Sequence, residues 1–185
     1  MRYKSPTMKT TQDHLSPQAA HTEIRDPQSA LDHRKGVLKM VRDLVQPFLA
    51  IRTFVQKHPD FDPDDLVTRW QRVLRMTSRF DPSIGLELAA IQGGPFGPEA
   101  DPDPLPPLVP DTSKDPRVQA VQFITTMAGH AEDLLQYLQA TPDTFSPAVA
   151  MNKIVRISLT LKRDAPALQT VVQNMVPGRD PWGES

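Results

Sequence analysis

The residues able to do chemistry are few and scattered. Five histidines stand at His14, His21, His33, His58 and His130. No two have the i,i+3 or i,i+4 spacing that would set a pair of metal ligands on one helical face. Cysteine is absent, which excludes a thiol nucleophile, a disulfide and a thiolate-held zinc or iron–sulfur centre. The acidic run Asp60-Phe61-Asp62-Pro63-Asp64-Asp65 superficially resembles a calcium loop. It puts Asp65 where such a loop needs glycine and Gln71 where it needs a bidentate glutamate. Helix-start charge explains the run better, because carboxylates favour the positive end of a helix dipole. No glycine-rich phosphate loop, nucleophile-elbow serine or HExxH pair occurs. The expectation is therefore no catalytic residue, no metal ligand and no cofactor.

Two histidines have neighbours worth weighing. Asp32-His33-Arg34-Lys35-Gly36 sets a histidine beside a lysine and a glycine, and Gly129-His130-Ala131-Glu132 sets one among small residues. A phosphorelay role at His33 or His130 is the weakest functional reading, since nothing else in the chain supports it. A capping or solvent-exposed histidine explains each better.

The cations are better organised. Arg69, Arg72, Arg75 and Arg79 fall away from Leu66, Trp70 and Val73 on a helical projection of about 100° per residue. Lys153, Arg156, Lys162 and Arg163 form a similar group later in the chain. The planar fork of arginine suits carboxylates and phosphates. Arg69, Arg72, Arg79, Lys153, Arg156 and Arg163 are thus the candidate residues for binding a partner or an anion. Nucleic acid is disfavoured by the net charge of −1 and by the lack of aromatic residues interleaved with these cations.

The elements that would carry these groups are helices. Val37, Val41, Leu44, Phe48, Ile51 and Val55 step by four and three, which makes one helical stripe beginning after Asp26-Pro27. Pro47 lies inside that stripe and predicts a kink or a break. Asp62-Pro63 opens a second helix with Leu66, Trp70, Val73, Thr77 and Phe80 inward. Asp81-Pro82 predicts a short third helix carrying Ile84, Leu88 and Ile91, stopped by Gly93-Gly94-Pro95. Residues 93–116 hold eight of the twenty prolines, a composition that favours extended polyproline-II structure.

The pattern then recurs. A shift of 83 positions carries the first stripe onto Ala120, Ile124, Met127, Ala131, Leu134 and Leu138. After one added residue the shift becomes 84, and Pro63 meets Pro147, Arg72 meets Arg156, Pro82 meets Pro166 and Gly94 meets Gly178. Trp70, Val73 and Thr77 correspond to Ile154, Ile157 and Leu161. The matching helix-start prolines point to an internal duplication.

The fold expected is all-α: a helical bundle of about six helices, built from two similar three-helix units joined by a proline-rich linker. The boundaries are a disordered N-terminal tail at 1–26, unit 1 at 27–92, the linker at 93–116, unit 2 at 117–176 and a C-terminal tail at 177–185. Trp182 in that tail could anchor a docking peptide. No apolar run reaches the roughly 20 residues of a membrane span. The function expected is non-catalytic: a cytoplasmic module that binds another protein, or a second copy of itself, as an adaptor, chaperone-like or assembly factor. The alternative is a regulatory module that binds an anionic ligand or nucleic acid through the two basic helix faces.

Overall fold

The computed structural model describes residues 27–96, 105–141, 145–179 and 181–183, and the segment expected to be a tail at 1–26 lies outside them. Four helices make up the described chain: α1 (Pro27–Lys57), α2 (Pro63–Gln92), α3 (Pro116–Ala140) and α4 (Pro147–Met175). The helix starts are those expected. Asp62, Asp115 and Ser146 each accept a bond from a backbone N–H of the first turn, and each is followed by proline at the first helical position. Gly93, with φ of 87°, takes the left-handed conformation that ends α2.

The expectation of six helices is corrected to four, because Pro82 lies inside α2 and Pro166 inside α4. A proline in a helix interior costs about 3 kcal/mol, through one lost hydrogen bond and a clash with the preceding turn. Burial outweighs this. Beyond Pro82, Ile84 and Leu88 are fully buried and stay in phase with Val73 and Thr77; beyond Pro166, Leu168, Val171 and Val172 are fully buried. Each such side chain contributes about 1.5–3 kcal/mol, so two or three of them offset the penalty only if the helix continues in phase. The break considered at Pro47 is also absent, since α1 runs unbroken through it and both Phe48 and Ile51 beside it are buried.

All twelve residues of the two long stripes are buried and belong to one core, together with Leu66, Trp70, Val73, Ile154, Ile157 and Leu161. Neighbouring helices run antiparallel. His33 near the start of α1 pairs with Glu87 near the end of α2, and Asp133 late in α3 pairs with Lys153 early in α4. Arg117 at the start of α3 lies over Phe61, which follows α1. Arg179, after α4, pairs with Asp64 at the start of α2. The helices therefore pack in the cyclic order α1, α2, α4, α3, and the backbones of the diagonal pairs do not approach each other closely.

In this arrangement α2 ends at the opposite end of the bundle from the start of α3. A helix of 30 residues is about 45 Å long. A connection at about 3.1 Å per residue covers that length easily, which is what a proline-rich composition permits. Its far end is fastened by Gln119, buried in α3. The Gln119 side-chain amide accepts from the Asp111 N–H and donates to the Asp111 and Lys114 carbonyls.

Candidate interaction surface

The six candidate cations do not share a face. Arg69 and Arg72 turn toward α1, while Lys153 and Arg156 turn toward α3, so the two sets lie on opposite sides of the bundle. The Arg69 guanidinium stacks 4.1 Å from the centre of the Phe54 ring, and Arg79 lies 5.3 Å from that of Phe80. Arg69 and Arg72 also line a cleft of about 230 Å³ whose other walls are Gln46, Pro47, Ala50 and Ile51. In the second hairpin the cations meet carboxylates of their own chain. Lys153 pairs with Asp133, and Arg163 pairs with the buried Asp164, which holds the guanidinium still further above its ordinary value.

His130 is half-buried beside this second group. Burial, and then the Arg156 charge, push its imidazole below the ordinary value, against the opposing pull of Asp133. His33 is half-buried against Glu87. Neither histidine stands out as a freely exposed ring. Among the described residues no group of three or more acidic or histidine side chains is placed to hold a metal ion. No described helix is long and apolar enough to cross a membrane.

The most open seam of the bundle lies between α2 and α4. One stretch of it is a groove of about 580 Å³ lined by Asp81, Pro82, Gly85 and Leu86 of α2 and by Met151, Ile154, Val155, Ser158, Leu159 and Lys162 of α4. An adjoining stretch of about 340 Å³ is lined by Leu74, Thr77, Ser78 and Asp81 facing Ser158, Leu161, Lys162 and Ala165. These last eight residues pair off at a constant offset of 84 positions, as Leu74 with Ser158, Thr77 with Leu161, Ser78 with Lys162 and Asp81 with Ala165. The two sides of that stretch thus stand 84 positions apart along the chain.

The groove is mainly apolar, with one polar bridge. Ser158 donates its hydroxyl proton to Asp81 across the seam. Burial pushes the Asp81 carboxyl above its ordinary value, outweighing the Ser158 hydrogen bond and the nearby Lys162 charge. Leu86 stands on the rim with 73% of its surface exposed. Near it Pro82 and Gly85 offer little side chain, so the groove stays wide on the α2 side.

No known protein family, no curated protein and no solved structure matches this chain.

Reading the sequence for cations missed this groove. Leu86 is out of phase with Ile84 and Leu88, and Val155 and Leu159 lie one turn apart, off the Ile154, Ile157 and Leu161 stripe. An off-stripe leucine next to a glycine and near a helical proline was the signal available. Trp182, considered as the anchor of a docking peptide, packs against the bundle's own core.

Proposed function

We propose that this protein is a non-catalytic helical interaction module, and that its interface is the α2/α4 groove. The occupant is an amphipathic helix of a partner protein, with an apolar face and acidic flanks. The observation that carries this reading is Leu86, a large apolar side chain left exposed beside a groove floored by Ile154, Val155 and Leu159. A surface helix laid in such a groove buries its i, i+3, i+4 and i+7 positions. Lys162 within the groove and the exposed Arg75 and Arg79 on α2 favour an acidic partner. The stripes of α1 and α3 are already buried against the rest of the core, and this seam joins an exposed leucine to an apolar groove.

Several features of this reading come from the sequence rather than the site. The bundle is the product of duplication of a helical hairpin, α1/α2 giving α3/α4. Placement in the cytoplasm fits the absence of cysteine. The protein acts as an adaptor, chaperone-like or assembly factor and carries out no reaction of its own.

The test uses a synthetic peptide of leucine and glutamate arranged as an amphipathic helix, titrated against the full-length protein by fluorescence anisotropy. Saturable binding is expected, with loss of binding for a peptide of the same composition scrambled to destroy the apolar stripe. Leu86→Asp should abolish binding while leaving the melting temperature unchanged. Equal binding of the scrambled peptide would overturn the reading. So would concentration-dependent self-association of the protein that Leu86→Asp removes, because the occupant would then be a second copy.

A further inference from the structure

Two sets of side chains occupy matching places in the two hairpins and are partnered differently. In the second hairpin, Asp133 on α3 reaches across to Lys153 on α4, and Arg156 stands close enough to His130 to depress its proton affinity. Stepping back 83 positions along α3 and 84 along α4 converts His130, Asp133, Lys153 and Arg156 into Pro47, Ala50, Arg69 and Arg72. Those four residues are walls of the α1/α2 cleft. The correspondence is therefore spatial as well as sequential: each hairpin brings the same four positions together across its own seam.

The cations persist at both places in the first hairpin, but the carboxylate does not. Ala50 stands where its counterpart has Asp133. Among the described residues no ion pair reaches Arg69 or Arg72. Arg69 is held by its stack on Phe54 and so is positioned before any ligand arrives. The cleft of about 230 Å³ stands open, with Gln46 adding an amide at its edge and Pro47 and Ile51 an apolar wall.

We infer that the α1/α2 cleft receives a carboxylate side chain from a partner polypeptide, seated on Arg69 and Arg72 where Asp133 sits in the other hairpin. Guanidinium forks donate bidentately to a carboxylate, and the apolar wall suits the methylenes of a glutamate better than a fully hydrated ion. The second hairpin thus shows a carboxylate already seated on Lys153, the counterpart of Arg69. This inference rests on the comparison of the two hairpins and stands apart from the apolar groove between α2 and α4.

The chain's own geometry supplies the decisive variant, Ala50→Asp. Ala50 is exposed, so the substitution leaves the core untouched, and its carboxylate should occupy the cleft from within. The experiment follows the side-chain Nε–Hε NMR signals of Arg69 and Arg72 while an N-acetylated, C-amidated peptide of four glutamates is added, with inorganic phosphate as the competing probe. Saturable shifts of both signals with the peptide are expected. Affinity should fall at least about tenfold in Ala50→Asp and in Arg72→Gln, a change equal to about 1.4 kcal/mol. Full peptide binding by Ala50→Asp would overturn the proposal, as would saturation by phosphate but not by peptide. Shifts unaltered by Arg72→Gln would place the anion elsewhere and overturn it equally.

Discussion

Asp81 on α2 accepts a hydrogen bond from the Ser158 hydroxyl on α4, the one side-chain bond recorded between these two helices among the described residues of the groove. The carboxyl pays for that position in proton affinity. Burial raises its pKa above 3.8, so the folded protein holds this proton more tightly than the unfolded chain does. Between 3.8 and the raised value the native state binds more protons, and stability falls as pH rises through that window.

Asp81→Asn should remove this loss. The amide keeps a partner for Ser158 and never ionises. Denaturant melts of wild type and variant across pH 3 to 7 should show the variant gaining relative stability as pH rises through the window, then holding a constant advantage. A constant difference at every pH would show that Asp81 is not desolvated by the seam.

His130 predicts the opposite slope. Its folded pKa lies below 6.5, so the unfolded state binds the extra proton first. Stability contributed by neutral His130 is complete above 6.5 and is lost as pH falls from there to the lowered folded value. His130→Gln should flatten the dependence of stability on pH in that interval. An NMR titration of the imidazole provides the direct check, with a midpoint below that of an exposed histidine expected.

Much of this fold was legible in the sequence, and the reasons are specific. The stripes from Val37 to Val55 and from Ala120 to Leu138 follow helical spacing, and all their members are buried. The starts at Pro63, Pro116 and Pro147 follow from capping residues beside prolines. Pro82 and Pro166 misled, because local proline chemistry predicts a start while burial of Ile84, Leu88 and Leu168 keeps each helix whole. For the site, the sequence placed Arg69, Arg72, Lys153 and Arg156 on outer faces. It could not show which would meet Asp133, Asp164 or Phe54, because those contacts depend on how helices face each other. The groove was illegible for the same reason: Leu86 and Leu159 become neighbours only once α2 lies against α4.

Gly85 supplies a prediction on stability and binding together. It lies inside α2, and an added Cβ would meet only the flexible end of Met151, at 3.4 Å. Gly85→Ala should therefore stabilise the protein by about 0.5–1 kcal/mol through helix propensity alone. The same methyl narrows the groove, so the amphipathic peptide should bind more weakly. Thermal melting and anisotropy on the one variant separate the two effects.

Gln119 tests the fastening of the linker. It is 5% exposed and makes three hydrogen bonds to Asp111 and Lys114. Gln119→Ala removes all three and opens a small void, for an expected loss of about 1–3 kcal/mol. Hydrogen exchange should speed up at the Asp111 amide while the centre of α3 keeps its protection. A stability equal to wild type would mean the linker is held by other contacts.

The most direct test of the central claim is a methyl NMR map of the full-length protein during titration with the leucine–glutamate helical peptide. The account predicts that the perturbed methyls cluster at Leu86, Met151, Ile154, Val155 and Leu159, and that Leu86→Asp erases the whole set. Perturbation confined to Leu105, Val109, Val118 and Val149, the other large apolar side chains exposed among the described residues, or no localised perturbation at all, would contradict it.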